Sequence, residues 1–226
     1  MASEVDICNL ALGHLGDNAT VASINPPEGS AQAEHCQRFY PIARDSLLEM
    51  NSWNFTMRRA ELASVAQNWS EWKYAYVLPS DCLNPISILE KDAYDDYSSR
   101  FYRGEASSAV PGTSPLNAAG EYSPKTYSIE TTVGGAVLLF TNTENAVLRY
   151  SAYVTDTTSF SPMFVMTLSW HLASMLAGPI VKGDMGAAEG KRCVTMMGGY
   201  LTKALSVDAN SRKIQLDHIV PWTAGR

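Results

Sequence analysis

Three aspartates, Asp92, Asp95 and Asp96, lie close enough together to supply the acid and base of a glycoside hydrolase. They fall in a stretch rich in Ser, Gly, Pro, Ala and Tyr, where a hydrated acidic loop is the plainer reading. Gly186-Ala187-Ala188-Glu189-Gly190-Lys191-Arg192 is the nearest approach to a phosphate-binding loop. That motif needs four residues between its glycines, so that successive N–H groups wrap the phosphate, and a hydroxyl after the lysine for Mg²⁺. Here three residues intervene and Arg192 replaces the hydroxyl. A metal centre would need convergent ligands. His35 and Cys36 are adjacent and point to different sides of a helix, Cys8 and His14 share no face well, and no pair among His14, His35, His171 and His218 is spaced i, i+4. Neither Gly-x-Ser-x-Gly nor a cysteine-protease context occurs. Trp69, Trp72, Tyr74 and Tyr76 could stack sugars or bases, but alternating aromatics on a strand more often build a core or an interface. The sequence therefore assigns no catalytic, cofactor-binding or metal-ligating residue, and points to a chemistry of surfaces.

The 226 residues suit one domain, or one domain carrying an inserted lobe, and 46% hydrophobic against 18% charged residues is a globular balance. The opening Met1-Ala2-Ser3-Glu4-Val5-Asp6 lacks the basic start and apolar run of a signal peptide. The longest apolar stretch, Met163–Ala177, is interrupted by Thr167, Ser169, His171 and Ser174 and reads as too polar and too short to span a bilayer. Formal charge is −6, and basic residues come only as pairs such as Arg58-Arg59, Lys191-Arg192 and Arg212-Lys213. A sequence-reading nucleic-acid binder would show a basic face, so DNA could pass nearby without being held. The cysteines Cys8, Cys36, Cys82 and Cys193 are far apart in apolar segments and read as buried reduced thiols.

The elements that must position any site follow from periodicity. Ser3 and Asp6 start a helix carrying Val5, Cys8, Leu12 and Leu15, and Gly16 stops it. After the break Asn25–Ser30 a second helix sets Cys36, Phe39, Tyr40, Ala43, Leu47 and Met50 on one side, with a kink expected at Pro41. From Trp72 the period changes to that of strands, with Ile86–Leu89 extended. Lys125–Glu130, Ala136–Thr141 and Ala146–Val154, joined at Gly134-Gly135 and Asn142–Asn145, read as a β-meander. Ser161-Pro162 opens a helix striped with Phe164, Val165, Leu168, Leu172, Met175 and Leu176, which Gly178-Pro179 should end or bend. A last helix, Ala187 to Ser206, aligns Val194, Met197, Leu201 and Leu205. Gly198-Gly199 in its middle cost about 1 kcal/mol each, which suggests another backbone close by, in the fold or across a subunit contact. The expected class is α+β: a helical bundle built from the N- and C-terminal helices, with a central antiparallel β-rich lobe. Residues 1–66 form the N-terminal helical part, 67–158 the β-rich lobe with a long loop at 93–124, 159–206 the C-terminal helices, and 207–226 an arm. That arm offers Ile214, Leu216, Ile219 and Trp222 as apolar anchors for a partner.

Four blocks carry a resemblance. They are Asn9-Leu10-Ala11-Leu12-Gly13-His14-Leu15-Gly16-Asp17; the segment with Tyr40-Pro41, Arg44-Asp45, Trp53-Asn54-Phe55, Arg59 and Leu62-Ala63; Tyr74–Leu83; and Phe160-Ser161-Pro162-Met163-Phe164 leading to Leu172-Ala173. In this order they resemble the head–tail adaptor (tail tubular protein A-like) family of short-tailed bacteriophages. Ala93–Pro124 and the last twenty residues fall outside the blocks. The resemblance implies a structural virion protein of the neck or tail, assembled in the bacterial host cytoplasm. It implies a ring of about twelve copies between the portal protein and the tail nozzle protein, through which DNA is ejected, with no catalytic residues, no cofactor and no membrane contact. Twelve copies at −6 each would carry −72, and Asp92, Asp95 and Asp96 are candidates to line an acidic bore that lets DNA slide. Two other readings stand beside it: a wall-degrading hydrolase carried in a virion, and a carbohydrate- or peptide-binding module using the central aromatics.

Overall fold

Each helix begins where a side chain can satisfy the backbone N–H groups that a helix start leaves unpaired. The computed structural model describes residues 2–18, 20–66, 71–89, 91 and 125–211. In α1 (Glu4–His14) the Ser3 hydroxyl accepts the Asp6 N–H at 3.1 Å while the Asp6 carboxylate accepts the Ser3 N–H at 2.9 Å, a reciprocal cap. Gly16, at φ 77°, turns the chain so that the Asp17 N–H returns to the Leu12 carbonyl. Ser30 caps α2 (Ala31–Glu49) through the Ala33 N–H, and Ser161 caps α3 (Pro162–Val181) through the Phe164 N–H. After Lys182, at φ 59°, α4 (Gly183–Asn210) runs for 28 residues.

Two prolines lie inside helices that continue past them. Pro41 does not divide α2, which is helical from Ala31 to Glu49. It lies on the exposed side, where water can serve the carbonyl it leaves without a donor. Nor do Gly178-Pro179 stop α3, which continues to Val181 and closes with the Lys182 N–H on the Gly178 carbonyl.

The described residues of Met1–Thr56 and Tyr153–Arg212 make one compact unit, and those of Met57–Ala152 another. In the first, α3 is the core helix: α1, α2 and α4 all pack on it. Phe164, Leu168, Leu172, Ala173, Leu176 and Ala177 have no exposed surface, and Ile7, Leu12, Leu47 and Leu48 of the first two helices are buried as completely. Each such leucine stabilises by about 2 kcal/mol on burial. Contrary to the expectation for Met163–Ala177, the 20 residues Pro162–Val181 are long and apolar enough to cross a membrane. More than half of that window, 56%, is buried by the unit's own helices, as in the central helix of a bundle.

The second unit holds seven strands among its described residues: β1 (Met57–Glu61), β2 (Ser64–Val65), β3 (Tyr74–Val77), β4 (Cys82–Leu89), β5 (Tyr127–Thr131), β6 (Val137–Thr141) and β7 (Val147–Ala152). They form two antiparallel sheets, in orders β1-β7-β4 and β2-β3-β6-β5. Tyr76 and Leu139 from one sheet share a buried cluster with Ile88, Leu148 and Tyr150 from the other. The chain is therefore α+β, with helices first and last and antiparallel strands between.

The expected meander is only half present. β5 and β6 form a hairpin about Gly134-Gly135, but β7 leaves for the other sheet. β6 already has β3 and β5 on its two edges, so no edge remains for β7. Asn145, at φ 49°, re-aims the chain, and the Tyr76 hydroxyl pins the crossing by donating to the Thr143 carbonyl at 2.9 Å. The strands also begin earlier than the sequence division at 66: β1 and β2 lie inside the segment read as N-terminal helical part, and in the last part α4 runs on to Asn210, past the division at 206. Met57–Glu61 is too short a run to show its period, and pairing with β7 is what extends it.

Candidate functional site

The aromatic turn after α2 is an anchor, built from the residues that carry the family resemblance. Trp53 is fully buried and donates its indole N–H to the Leu47 carbonyl at 2.9 Å, filling one of the acceptors that the end of α2 leaves open. Its ring meets Phe164 edge-on at 5.0 Å, and Phe55 meets Phe164 in the same way at 5.0 Å. Asn54 between them donates its backbone N–H to the Asp208 carboxylate at 3.1 Å, which ties the turn to the end of α4. Burial raises the pKa of that carboxyl, while the Asn54 hydrogen bonds oppose the rise.

Arg44 and Asp45 form a second anchor. Arg44 donates Nε to Asp45 Oδ1 at 2.8 Å and Nη2 to the Tyr153 hydroxyl, which itself donates to Asp45 Oδ2 at 3.0 Å. The first block supplies a third. His14 stacks flat on Trp170 with centroids 3.7 Å apart and hydrogen-bonds Ser169 Oγ at 3.0 Å, and the His14 carbonyl accepts from Arg192 at 2.8 Å. Residues of these sequence blocks thus bind the chain to itself.

Two serine–histidine pairs come together that the sequence could not reveal, because their members are more than a hundred residues apart. Ser46 Oγ lies 2.8 Å from His171 Nε2, and Ser169 Oγ lies 3.0 Å from His14 Nε2. Neither is arranged as a nucleophile and base. The Ser46 hydroxyl is also 3.0 Å from the Ala43 carbonyl, which competes for its single proton, and buried His171 Nδ1 has no hydrogen-bond partner to orient the ring. Burial lowers the His171 pKa below the ordinary 6.5, and burial followed by the Arg192 charge does the same to His14. Cys8 and Cys36, distant in sequence, meet between α1 and α2 as buried free thiols, and the hydrogen bond with Cys36, together with burial, pushes the Cys8 thiol up. Among the described residues no group of three or more His, Cys, Asp or Glu is gathered as a metal requires. The phosphate-loop look-alike lies inside α4, where Gly186 is buried against α3.

The surface of α4 departs most from expectation. A Cβ at Gly186 would stand 2.9 Å from the Ala177 carbonyl oxygen, and one at Gly190 3.6 Å from the Ser174 carbonyl oxygen. Gly186 allows the close antiparallel approach of α3 and α4 that the sequence reading gave to Gly198-Gly199, while at Gly190 a Cβ would make only an ordinary contact. Around Gly198 and Gly199 a Cβ would meet nothing within 4 Å. The stripe facing α3 is Gly186, Cys193 and Ala204, flanked by half-buried Met197 and Leu201. Val194 and Leu205, expected in the buried stripe, are exposed, Val194 at 52%. Ala187, Val194, Gly198 and Leu205, spaced seven, four and seven residues apart, share one flank of the helix beside that stripe. Met185 at 73% and Val207 at 48% add further apolar surface to the same helix.

The anchors Ile214, Leu216, Ile219 and Trp222 and the acidic residues Asp92, Asp95 and Asp96 lie outside the described residues, as do Trp69 and the 93–124 loop. Trp72 packs against Ala75, Leu138 and Phe140, and Tyr76 is buried, so these central aromatics build a core. No protein-family model and no curated protein matches the chain.

Proposed function

We propose that this chain is a structural virion protein, a head–tail adaptor that forms a ring of about twelve copies between a portal protein and a tail nozzle and gives DNA a passage. The observation that carries the reading is the exposed flank of α4. A 28-residue helix is about 42 Å long, and this one buries only a narrow stripe on α3. One flank presents Val194 and Leu205 beside Gly198, which has open space around it, and Met185 and Val207 add apolar surface elsewhere on the same helix. Such a flank suits the close approach of a neighbouring copy, because glycine lets the two backbones come nearer than any side chain would. A stable contact needs about 800 Å² from each partner, so α4 would contribute one part of a larger contact surface. The anchors at Trp53, Arg44 and His14 fit a subunit that must hold its shape under load. The four sequence blocks supply the portal and nozzle as partners, and the acidic balance fits DNA that slides through without binding.

Mass photometry of the chain mixed with its portal protein tests this. The expected result is a shift to a ring of adaptor copies on each portal; particles at the masses of free portal and free monomer, whatever the ratio, would overturn it.

A further inference from the structure

A cleft of about 240 Å³ opens in the helical unit between the start of α1, the segment before α2, and the middle of α2. Its floor is buried: Tyr40 is 1% exposed, and Ile24 and Arg44 are each 6% exposed. Its rim is the exposed side chains of Asn25, Gln37 and Pro41 together with Glu4. The Tyr40 hydroxyl on this floor makes no hydrogen bond among the described residues. A buried hydroxyl left unpaired is costly, so its retention needs a reason. Burial, and then the nearby Glu4 charge, keep the phenol protonated, so it can donate.

Arg44 supplies a second unmet donor. Its Nε and Nη2 are committed to Asp45 and Tyr153, while Nη1 faces Glu4 Oε1 across 3.9 Å. That gap is too wide for a hydrogen bond, whose usual length is about 2.7–3.2 Å. It is the right width for a two-atom bridge with an acceptor on one atom and a donor on the other. In a primary carboxamide the oxygen and nitrogen are about 2.3 Å apart, from C=O and C–N lengths of about 1.23 and 1.33 Å. Two hydrogen bonds of about 2.9 Å, splayed slightly outward, then span the gap without moving either residue. Charge points the same way. Arg44 with Asp45 and Glu4 leaves the cleft one negative charge in excess, so a carboxylate ligand is repelled, while a bare ammonium would leave both donors unmet. Pro41, which has no N–H, leaves the Gln37 carbonyl beside the rim without its usual helical donor, a further acceptor for an amide N–H.

We infer that the Tyr40–Arg44–Glu4 cleft is a binding site for a primary carboxamide, whose oxygen accepts from the Tyr40 hydroxyl and Arg44 Nη1 and whose NH₂ donates to Glu4. The carboxamide is either that of a free small molecule or a glutamine or asparagine side chain of a partner protein. The site is independent of the ring contact proposed for α4, and either can fail without the other.

The test is a titration of the full chain followed by two-dimensional ¹H–¹⁵N NMR, with propionamide, propionate and propylammonium as matched probes. Saturable shifts at Gln37, Tyr40 and Arg44 are expected for propionamide, with the two charged probes at least about tenfold weaker. Tyr40→Phe removes only the unpaired hydroxyl and should keep the fold while weakening propionamide about tenfold. Glu4→Gln removes the excess negative charge and should bring propionate up towards propionamide. Capped glutamine (N-acetyl-glutamine-N-methylamide) separates the sources: binding as tight as propionamide points to an inserted side chain, and exclusion of the capped form points to a free small molecule. Propionate binding the native chain as tightly as propionamide, unchanged propionamide affinity in a folded Tyr40→Phe chain, or no saturable shift with any probe would each overturn the inference.

Discussion

Changing Gly198 and Gly199 together to alanine should stabilise the free chain and weaken its self-association, two effects of opposite sign from one substitution. Both glycines lie inside α4 with helical backbone, and a Cβ at either meets no atom within 4 Å. Nothing inside the chain then opposes the methyl groups, and each exchange recovers about 1 kcal/mol of helix propensity. The pair gives about 2 kcal/mol, which for a chain of this size raises Tm by roughly 4–8 °C. Circular dichroism melts of the dilute chain, without portal, read this half. The other half comes from the neighbour: the methyl group at position 198, on the flank with Val194 and Leu205, is pushed into a close backbone contact and costs about 1–3 kcal/mol per interface by overpacking. Repeated around a ring, that loss should remove most assembled particles in mass photometry with portal. A lower Tm in the double variant would show that the glycines serve the fold itself. A higher Tm with undiminished rings would show that no neighbour sits against them, and the reasoning about this flank would be refuted.

The mirror experiment is Gly186→Ala, where the new Cβ meets the Ala177 carbonyl oxygen at 2.9 Å; it should lower stability by about 1–3 kcal/mol in a denaturant melt, although alanine is the better helix former. Ser161→Ala removes the cap on the Phe164 N–H and should cost about 1 kcal/mol in the same assay, with Ser161→Asp largely neutral. Stability should also depend on His14 and His171. Both have folded pKa values below their ordinary 6.5, so the unfolded chain binds protons that the folded chain resists. Their contribution is complete above about pH 7 and is lost as pH falls from 6.5 through the folded values, a drop in Tm that His14→Gln with His171→Asn should flatten. A chain ending at Ser211 should keep its melting curve and lose portal attachment. An earlier cut would remove Asp208 and loosen Asn54, so it would confuse loss of fold with loss of the arm.

The local signals were legible because they are local. Ser3 and Ser161 sit where a helix start needs an acceptor, Gly16 where a left-handed residue must end one, and all three act as the sequence suggests. Pairing between distant strands was not legible. Nothing in Val147–Ala152 announces that it will lie between β1 and β4, because that depends on β6 having both its edges filled. The faces of α4 were misread for a related reason. Alignment of Val194 with Leu205 looks like a core stripe, yet α3 approaches so closely that only Gly186, Cys193 and Ala204 fit beneath it, and the larger side chains are displaced outward. The Tyr40–Arg44–Glu4 cleft gave no sequence signal, since its halves are joined only by the packing of α1 on α2.

An image of the assembled particle bears most directly on the ring. Electron cryo-microscopy of the chain bound to its portal would show which surface of each copy is covered by the next. A closed ring with Val194, Gly198 and Leu205 of every copy buried against its neighbour is the expected picture. Copies that touch the portal singly, or a ring that leaves this side of α4 open to water, would contradict it.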